Sequence, residues 1–341
     1  MQSFLNARIS VVVLTRNRRE EVMRTVASLL RLPERPTIVV VDNGSTDGTA
    51  QLLAHTYPGL RVVHCDRNLG AAGRNEGVEQ VMTGYVAFSD DDTDWQAGSL
   101  ARAAELLDRH PHVGVLSARV VVGPERTLDP ACALMAASPL RDARGLAGHD
   151  GLVPLIGFMA GACVFRTEVF RALGGYEPRL FIGGEEALLS LDLLQAGYRI
   201  AYAPELEVHH RPSLARDSEL RRRFVARNAA LVAWMRLPRS EALAATGSAI
   251  GSALRERHAA EDLRALWEGI RWAMQRRRPV APRVLRMRDA VRKRERVLAR
   301  KGRTGVKGRM NGGMEPGIDV AECIDPEDAD EEDAAPRKHS R

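Results

Sequence analysis

Three consecutive carboxylates, Asp90, Asp91 and Asp92, end the apolar run in YVAFSDDDTDW over residues 85–95. Adjacent carboxylates at a strand end repel one another, and solvent or a bound cation must relieve that cost. Hard oxygen ligands suit Mg²⁺ or Mn²⁺, and such ions in turn bridge the phosphates of a bound substrate. A second acidic pair stands about a hundred residues later, in GGYEPRLFIGGEEALLSLDLLQAGYRIAYAPELEVHH over residues 174–210. Glu185 and Glu186 open a helix there, where the helix dipole keeps carboxylates ionised. A held, ionised carboxylate can serve as a general base toward an alcohol. His209 and His210 close the same stretch, and a neutral imidazole from either can complete a metal site.

Two polar turns have types suited to a nucleotide. VVVDNGSTDGT, residues 39–49, ends a buried strand in Asp42, turns at Asn43-Gly44 and offers Ser45 or Thr46 as a helix cap. Asp42 sits where a carboxylate can accept from a base N–H or a ribose hydroxyl. NLGAAGRNEGV, residues 68–78, spaces Gly70, Gly73 and Gly77 for close backbone approach and sets Arg74 in the first turn of a helix. Its glycines do not follow the dinucleotide G-x-G-x-x-G spacing, and no G-x-x-x-x-G-K-[ST] phosphate loop occurs in the chain. Each segment taken alone also reads as a polar turn, a cap, small-residue helix packing or a solvated acidic loop.

The elements that must position these groups alternate. β-Branched apolar runs at 9–14, 37–41, 61–64 and 85–88 read as strands, separated by amphipathic helices at 19–30, 46–56 and 71–82. That alternation predicts an α/β fold with a mostly parallel central sheet, whose ligands collect beyond the carboxyl ends of the strands. Further strands are expected at 113–122, 157–166 and 198–203, with helices from Thr167 and over 185–196. Residues 127–151 lack a period and read as a variable loop.

After Pro212 the chain turns Arg-rich and helical to about Arg300, and beyond Gly302 it becomes Gly-rich, then acidic. The expected division is a catalytic domain over 1–212, a basic helical extension over 213–302 and a disordered tail over 303–341. A formal charge of +6 on 341 residues suits an anionic partner: nucleotide phosphates, a lipid surface or nucleic acid. Cys65, Cys132, Cys163 and Cys323 form no C-x-x-C pair, which argues against a zinc site or a disulfide framework and for a reducing cytoplasm. No run approaches the roughly 20 apolar residues of a membrane span, and the N-terminus reads as a first strand rather than a leader. LRALWEGIRWAMQRRR, residues 263–278, mixes Trp, Ile and Met with Arg in the manner of an interfacial helix, so peripheral contact with the inner face of an anionic membrane is expected.

Taken in order, DNGSTDGT, NLGAAGRN, the Asp triplet and the GGEE-to-HH stretch resemble the family-2 glycosyltransferases, inverting enzymes of GT-A fold, over residues 9–212. The resemblance implies that Thr15 and Asn17 of VVVLTRN hold the nucleotide with Asp42 reading its base edge, and that Arg74 fixes the base or diphosphate. Asp90 and Asp92 match the outer positions of the D-x-D metal motif, with Asp91 between them against the nucleotide. Glu186, or its neighbour Glu185, falls where the family usually has an Asp as catalytic base; His210, or His209, matches a further metal ligand. The implied cofactor is Mn²⁺ or Mg²⁺, the donor a nucleotide-diphosphate hexose or deoxyhexose, and the acceptor an unidentified hydroxyl compound, with a lipid-linked one among the candidates. Two alternatives carry less weight: a nucleotidyltransferase, against which the turn TRNRREE offers no Gly-rich, Lys-bearing triphosphate loop, and a non-catalytic membrane- or nucleic-acid-binding protein with a degenerate GT-A domain.

Overall fold

A computed structural model describes residues 8–142, 150–212, 218–255 and 258–305. The chain starts with β1 (Ile9–Thr15), whose Val11, Val12 and Val13 are fully buried, and turns through α1 (Arg19–Leu30) to β2 (Thr37–Asp42). α2 (Thr49–Thr56) leads to β3 (Arg61–His64) at the sheet edge, and α3 (Gly73–Glu79) returns the chain to β4 (Tyr85–Asp90) on the other side of β1. Strands buried on both faces read as continuous apolar runs, which is why β1, β2 and β4 were legible as Val-rich segments.

β5 (Thr93–Trp95), α4 (Ser99–Arg109) and the ten-residue β6 (Val113–Val122) follow, then β7 (Thr127–Leu128), α5 (Pro130–Ala136) and β8 (Val153–Leu155). β9 (Ala162–Arg166), α6 (Thr167–Ala172), α7 (Glu185–Gln195) and β10 (Arg199–His210) complete the sheet region. The strand order is β3-β2-β1-β4-β9-β6-β10-β5. β1 pairs in parallel with β2 and β4, and β6 with β10, while β9 runs antiparallel between β4 and β6. Chain order therefore reverses direction across the sheet between β1 and β4, the switch point at which open α/β sheets bind ligands. Four helices follow: α8 (Ser218–Arg236), α9 (Arg239–Ala253), α10 (Ala259–Gln275) and α11 (Pro282–Gly305).

Several sequence expectations are corrected. Residues 127–151 are not one loop: Asp129 accepts from the Ala131 amide at 2.8 Å and Pro130 opens α5, a start signal hidden by the weak periodicity of PACALMA. α2 begins at Thr49, after Gly48 in a left-handed conformation, and not at Thr46, because the Ser45 and Thr46 amides are held by Asp42 and Asn17. α3 is a short helix entered by a 3₁₀ turn at Gly70–Ala72 rather than one helix over 71–82. β9 begins at Ala162, not at 157, and β10 continues to His210 across a register shift at Ala203/Glu207. Tail residues 306–341 and Cys323 lie outside the described residues; Cys65, Cys132 and Cys163 are buried and free.

Candidate active site

Parallel register aligns the rim of the site. Thr15 at the end of β1 sits opposite Asp42 at the end of β2, and Leu14 opposite Asp90 on β4. β4 runs through Asp90, two residues beyond the sequence expectation, so Asp91 and Asp92 form the turn into β5. Antiparallel pairing of β10 with β5 brings His210 opposite Thr93. Four strand ends thus meet at the switch point.

The triplet splits in two. Asp90 is ion-paired with Arg74 (Nη2 to Oδ1, 2.5 Å), and its carboxylate lies against the backbone of Gly161, where an added Cβ would meet Oδ2 at 2.3 Å. Asp91 and Asp92, each 3% exposed, turn instead to Arg18 at the start of α1. Arg18 Nη1 reaches Asp91 Oδ1 at 2.5 Å and Nη2 reaches Asp92 Oδ2 at 3.0 Å. Thr15 Oγ1 donates to Asp91 Oδ2 at 2.9 Å, and buried Thr25 donates to the Asp91 carbonyl at 2.9 Å, so α1 braces the acidic turn from below. His210 Nε2 stands 3.4 Å from Asp92 Oδ1, whereas His209 projects to the other side and donates to the Gly123 carbonyl at 2.7 Å.

Burial dominates the Asp91 carboxyl. It pushes the pKa from its ordinary 3.8 up to about 7, with Asp92 and Asp90 adding to the rise and Arg18 and the Thr15 hydroxyl opposing it. A carboxyl that holds its proton more tightly folded than unfolded stabilises the fold while both states are protonated, and that contribution is lost as pH climbs from about 4 through 7. Without divalent cations the thermal midpoint should therefore fall between pH 5 and pH 8, and Asp91→Asn should flatten the slope; an equal slope in the variant would assign the dependence elsewhere.

The nucleotide side is a knot of side chains. Asp42, almost fully buried, accepts from the Ser45 amide at 3.1 Å and from His64 Nδ1 at 2.9 Å. Asn17, at positive φ, donates its amide to Ser45 Oγ (2.9 Å) and accepts from the Thr46 amide (2.8 Å). Asn43 joins this turn to the next: its Nδ2 donates to Asn68 Oδ1 and the Gly70 carbonyl, each at 3.0 Å, and its Oδ1 accepts from the Leu69 amide at 2.8 Å. Gly77 lets α3 lie directly on the sheet, since a Cβ there would meet Val12 at 2.5 Å and Val41 at 2.8 Å.

Arg74 is buried over the Tyr176 ring at 6.0 Å. Burial works against its charge, but Asp90, with Tyr176, Glu185 and Glu186, outweighs that and raises its pKa. Asn75 next to it grips Tyr176 through both backbone groups, at 3.0 Å to the amide and 2.8 Å to the carbonyl. Tyr176 belongs in turn to an aromatic cluster with Phe88, Phe165 and Phe170 behind β4 and β9.

Glu186 enters from the opposite side. Its Oε1 accepts from the Ala160 amide at 3.4 Å, and the next residue, Gly161, is the one packed on Asp90. The Ala160-Gly161 turn therefore lies between Asp90 and Glu186. Glu186 is half-buried, while Glu185 is buried. Sequence reasoning missed Arg18, Asn43, Asn75 and the Ala160-Gly161 turn. Only Gly161, flanked by small residues ahead of an apolar strand, left a local signal.

Among the described residues no group of three or more His, Cys, Asp or Glu side chains is arranged to hold a metal ion alone. What exists is a carboxylate and an imidazole at Asp92 and His210, beside Asp91, with the Arg18 guanidinium standing where positive charge is required. Hard ions of the Mg²⁺ type accept one or two carboxylates and take their other ligands from substrate phosphates and water, and this donor set fits such an ion.

A mostly parallel sheet with its switch point between β1 and β4, an acidic turn on that rim and a helix-start carboxylate facing it define a GT-A sugar-nucleotide transferase fold. Residues 10–174 match the model of glycosyl transferase family 2. The chain is similar to an N-acetylglucosaminyl-diphospho-decaprenol L-rhamnosyltransferase of Mycobacterium tuberculosis, 28% identical over 241 residues that cover 61% of this chain and 78% of the relative. The fold is shared with S. aureus TarS residues 1-349 solved with UDP-GlcNAc (TM-score 0.55, 16% identity, 89% of this chain and 94% of that one). It is shared also with GalNAc-T7 solved with UDP, GalNAc and Mn²⁺ (TM-score 0.53, 18% identity, 67% of this chain and 48% of that one). The chain is a glycosyltransferase.

Proposed function

We propose that the protein moves a hexosyl or deoxyhexosyl group from a nucleoside-diphosphate donor to an acceptor hydroxyl with inversion, in the synthesis of a glycan, cell-surface polysaccharide or glycoconjugate. The observation that carries this is the Ala160-Gly161 turn, which has the Arg74-paired Asp90 against Gly161 and Glu186 on the Ala160 amide, with the Arg18-braced Asp91–Asp92 pair following Asp90 in the chain. In this reading Asp42, Thr15 and Asn17 hold the nucleoside end, and Arg74 and Asp90 hold the ribose-diphosphate. Asp92 and His210 would hold Mn²⁺ or Mg²⁺, with Asp90 as the less favoured ligand; His209, turned away to the Gly123 carbonyl, drops out of the ligand set. When bound, such an ion neutralises charge developing on the departing diphosphate.

Glu186 supplies the base, with buried Glu185 supporting the charge balance around Arg74. It takes the acceptor hydroxyl proton as the acceptor oxygen bonds to the anomeric carbon and the bond from that carbon to the diphosphate breaks. Attack from the face opposite the diphosphate inverts the centre. One carboxylate base acting on the acceptor hydroxyl suits this one-step route. The name of the Mycobacterium tuberculosis relative favours a deoxyhexose donor and an acceptor on a lipid diphosphate. UDP-, dTDP- and GDP-sugars assayed with and without Mn²⁺ should give release of nucleoside diphosphate with at least one donor, only with the ion and only with acceptor; release independent of the ion would refute the metal role.

The division into a catalytic domain over 1–212, a basic helical extension and a tail is kept, except that α11 carries the extension through Gly305 rather than ending it at 302. The reading also gives the extension a partner, an anionic lipid surface. No helix among the described residues is long and apolar enough to cross a membrane. Yet Leu243 and Ile250 on α9, Leu254 just beyond it, and Trp267 and Met274 on α10 are all exposed. On α10, Arg264, Trp267, Arg271 and Met274 share one face at helical spacing, with Arg264 paired to Glu268 beside it, so Trp267, Arg271 and Met274 form the stripe suited to headgroups and the acyl boundary. Sedimentation with anionic but not neutral vesicles, lost in Trp267→Ser/Arg271→Glu, is expected; equal sedimentation of the variant would exclude this face.

A further inference from the structure

Among the described residues, α8 of the helical extension reaches the catalytic rim at the entry to α7. The segment entering α7, residues 180–184, holds Phe181 at φ 62°, Gly183 at φ 80° and Gly184 at φ 88°. Three left-handed residues among five, one of them aromatic, persist only where surrounding structure over-determines them. α8 provides that restraint. Asn228, fully buried, donates from Nδ2 to the carbonyls of Leu180 (2.7 Å), Ile182 (3.0 Å) and Gly183 (2.5 Å).

Two hydrogens serve three carbonyls, so one is shared, and a carboxylate in the same place would face three acceptors with nothing to give. Arg227 fixes which way the amide points, donating from Nε and Nη2 to Asn228 Oδ1 at 2.9 and 2.8 Å, and Nη2 also reaches the Arg179 carbonyl at 3.3 Å. The approach leaves no room for side chains. A Cβ on Gly183 would meet Val225 at 2.7 Å, and one on Gly184 would meet Asn228 Cβ at 3.0 Å.

The clamped segment touches both halves of the site. On one side the Phe181 carbonyl accepts from the Ala71 amide at 2.7 Å, and a Cβ on Gly70 would meet that carbonyl at 2.0 Å. On the other, Gly184 is the residue before Glu185 and its carbonyl accepts from the Leu188 amide at 2.9 Å, so its conformation sets the first turn of α7. α11 and α8 hold the far end of the helix: Arg283 donates to the Leu194 and Gln195 carbonyls at 3.2 and 2.9 Å, and Arg236 pairs with Asp192.

We propose that Asn228, oriented by Arg227, is a positioning residue for the transfer reaction: through the carbonyls of Leu180, Ile182 and Gly183 it fixes the turn that aims Glu186. This rests on the reading of Glu186 as base. It gives the basic helices a catalytic consequence apart from any contact with lipid.

The test is Asn228→Asp, the same shape without the donors, followed by backbone hydrogen exchange and by kinetics. Exchange at the Ala71 amide and across 182–188 should rise about tenfold or more while β1, β4 and β10 stay protected, as expected of local opening. A base displaced by about 1 Å should lower kcat about 100-fold with the donor KM and nucleoside-diphosphate binding nearly unchanged. Arg227→Ala, at the rim of α8, should give the same pattern more weakly and serves if the first variant does not fold. A fall in kcat without faster exchange in 182–188 overturns the clamp, as does exchange rising equally through the sheet with loss of nucleotide binding. If Glu186→Gln keeps full turnover while Asn228→Asp still loosens the segment and lowers kcat, the base assignment fails and the clamp stands.

Discussion

Glu186→Gln is expected to lower the rate of transfer by about a thousandfold while the variant still binds donor. General-base catalysis is worth roughly 10²–10⁴ in rate, and about a thousandfold is the middle of that range. The amide keeps the shape of the side chain and can still accept from the Ala160 amide, the contact that locates Glu186 at 3.4 Å. Folding and donor affinity should therefore survive, and the loss should fall on kcat. Glu185→Gln should act differently, because that side chain is buried and contributes to the field around Arg74. Turnover within about threefold of wild type in Glu186→Gln would remove the assignment, since losing a working base costs far more.

Asp92→Asn should be as damaging for another reason. Asp92 is shared between Arg18, at 3.0 Å, and His210, at 3.4 Å, so its charge anchors the acidic turn and, in the proposed function, would also hold the cation. An amide loses that charge and turns a donor toward either the guanidinium or the imidazole. Transfer is expected to drop by at least about a hundredfold, as when transition-state charge stabilisation of several kcal/mol is removed. The accompanying sign is loss of the thermal protection that Mn²⁺ and a nucleoside diphosphate together give. Protection kept in full with activity lost would move the ion away from Asp92.

The parts of the fold that the sequence makes legible are those whose signal is local. The Val-rich strands declare themselves because burial on both faces leaves no polar positions, and the bounds of α1 and β6 agree with the apolar pattern. α5 escapes because Ala, Cys and Met give little periodicity, although Asp129-Pro130 marks its start. The far half of β10 escapes because the irregularity after Ala203 breaks the alternation. Carboxylates and histidines could be picked out as types, and strand alternation then separates His210 from His209. Their partners could not. Arg18 meets Asp91 across 73 residues and Asn228 meets Leu180 across 48, contacts that obey no spacing rule and exist only once the sheet has formed.

The central claim is that Asp92 and His210 hold a cation against a donor diphosphate within reach of Glu186. Crystals grown with Mn²⁺ and a nucleoside diphosphate, measured at the manganese absorption edge, test it most directly. The expected map shows one anomalous peak bridging Asp92, His210 and the two phosphates, with the nucleoside toward Asp42 and Glu186 facing the open side of the terminal phosphate. Nucleotide bound with the ion elsewhere, or with Glu186 on the far side of the sheet from the phosphates, would contradict the account.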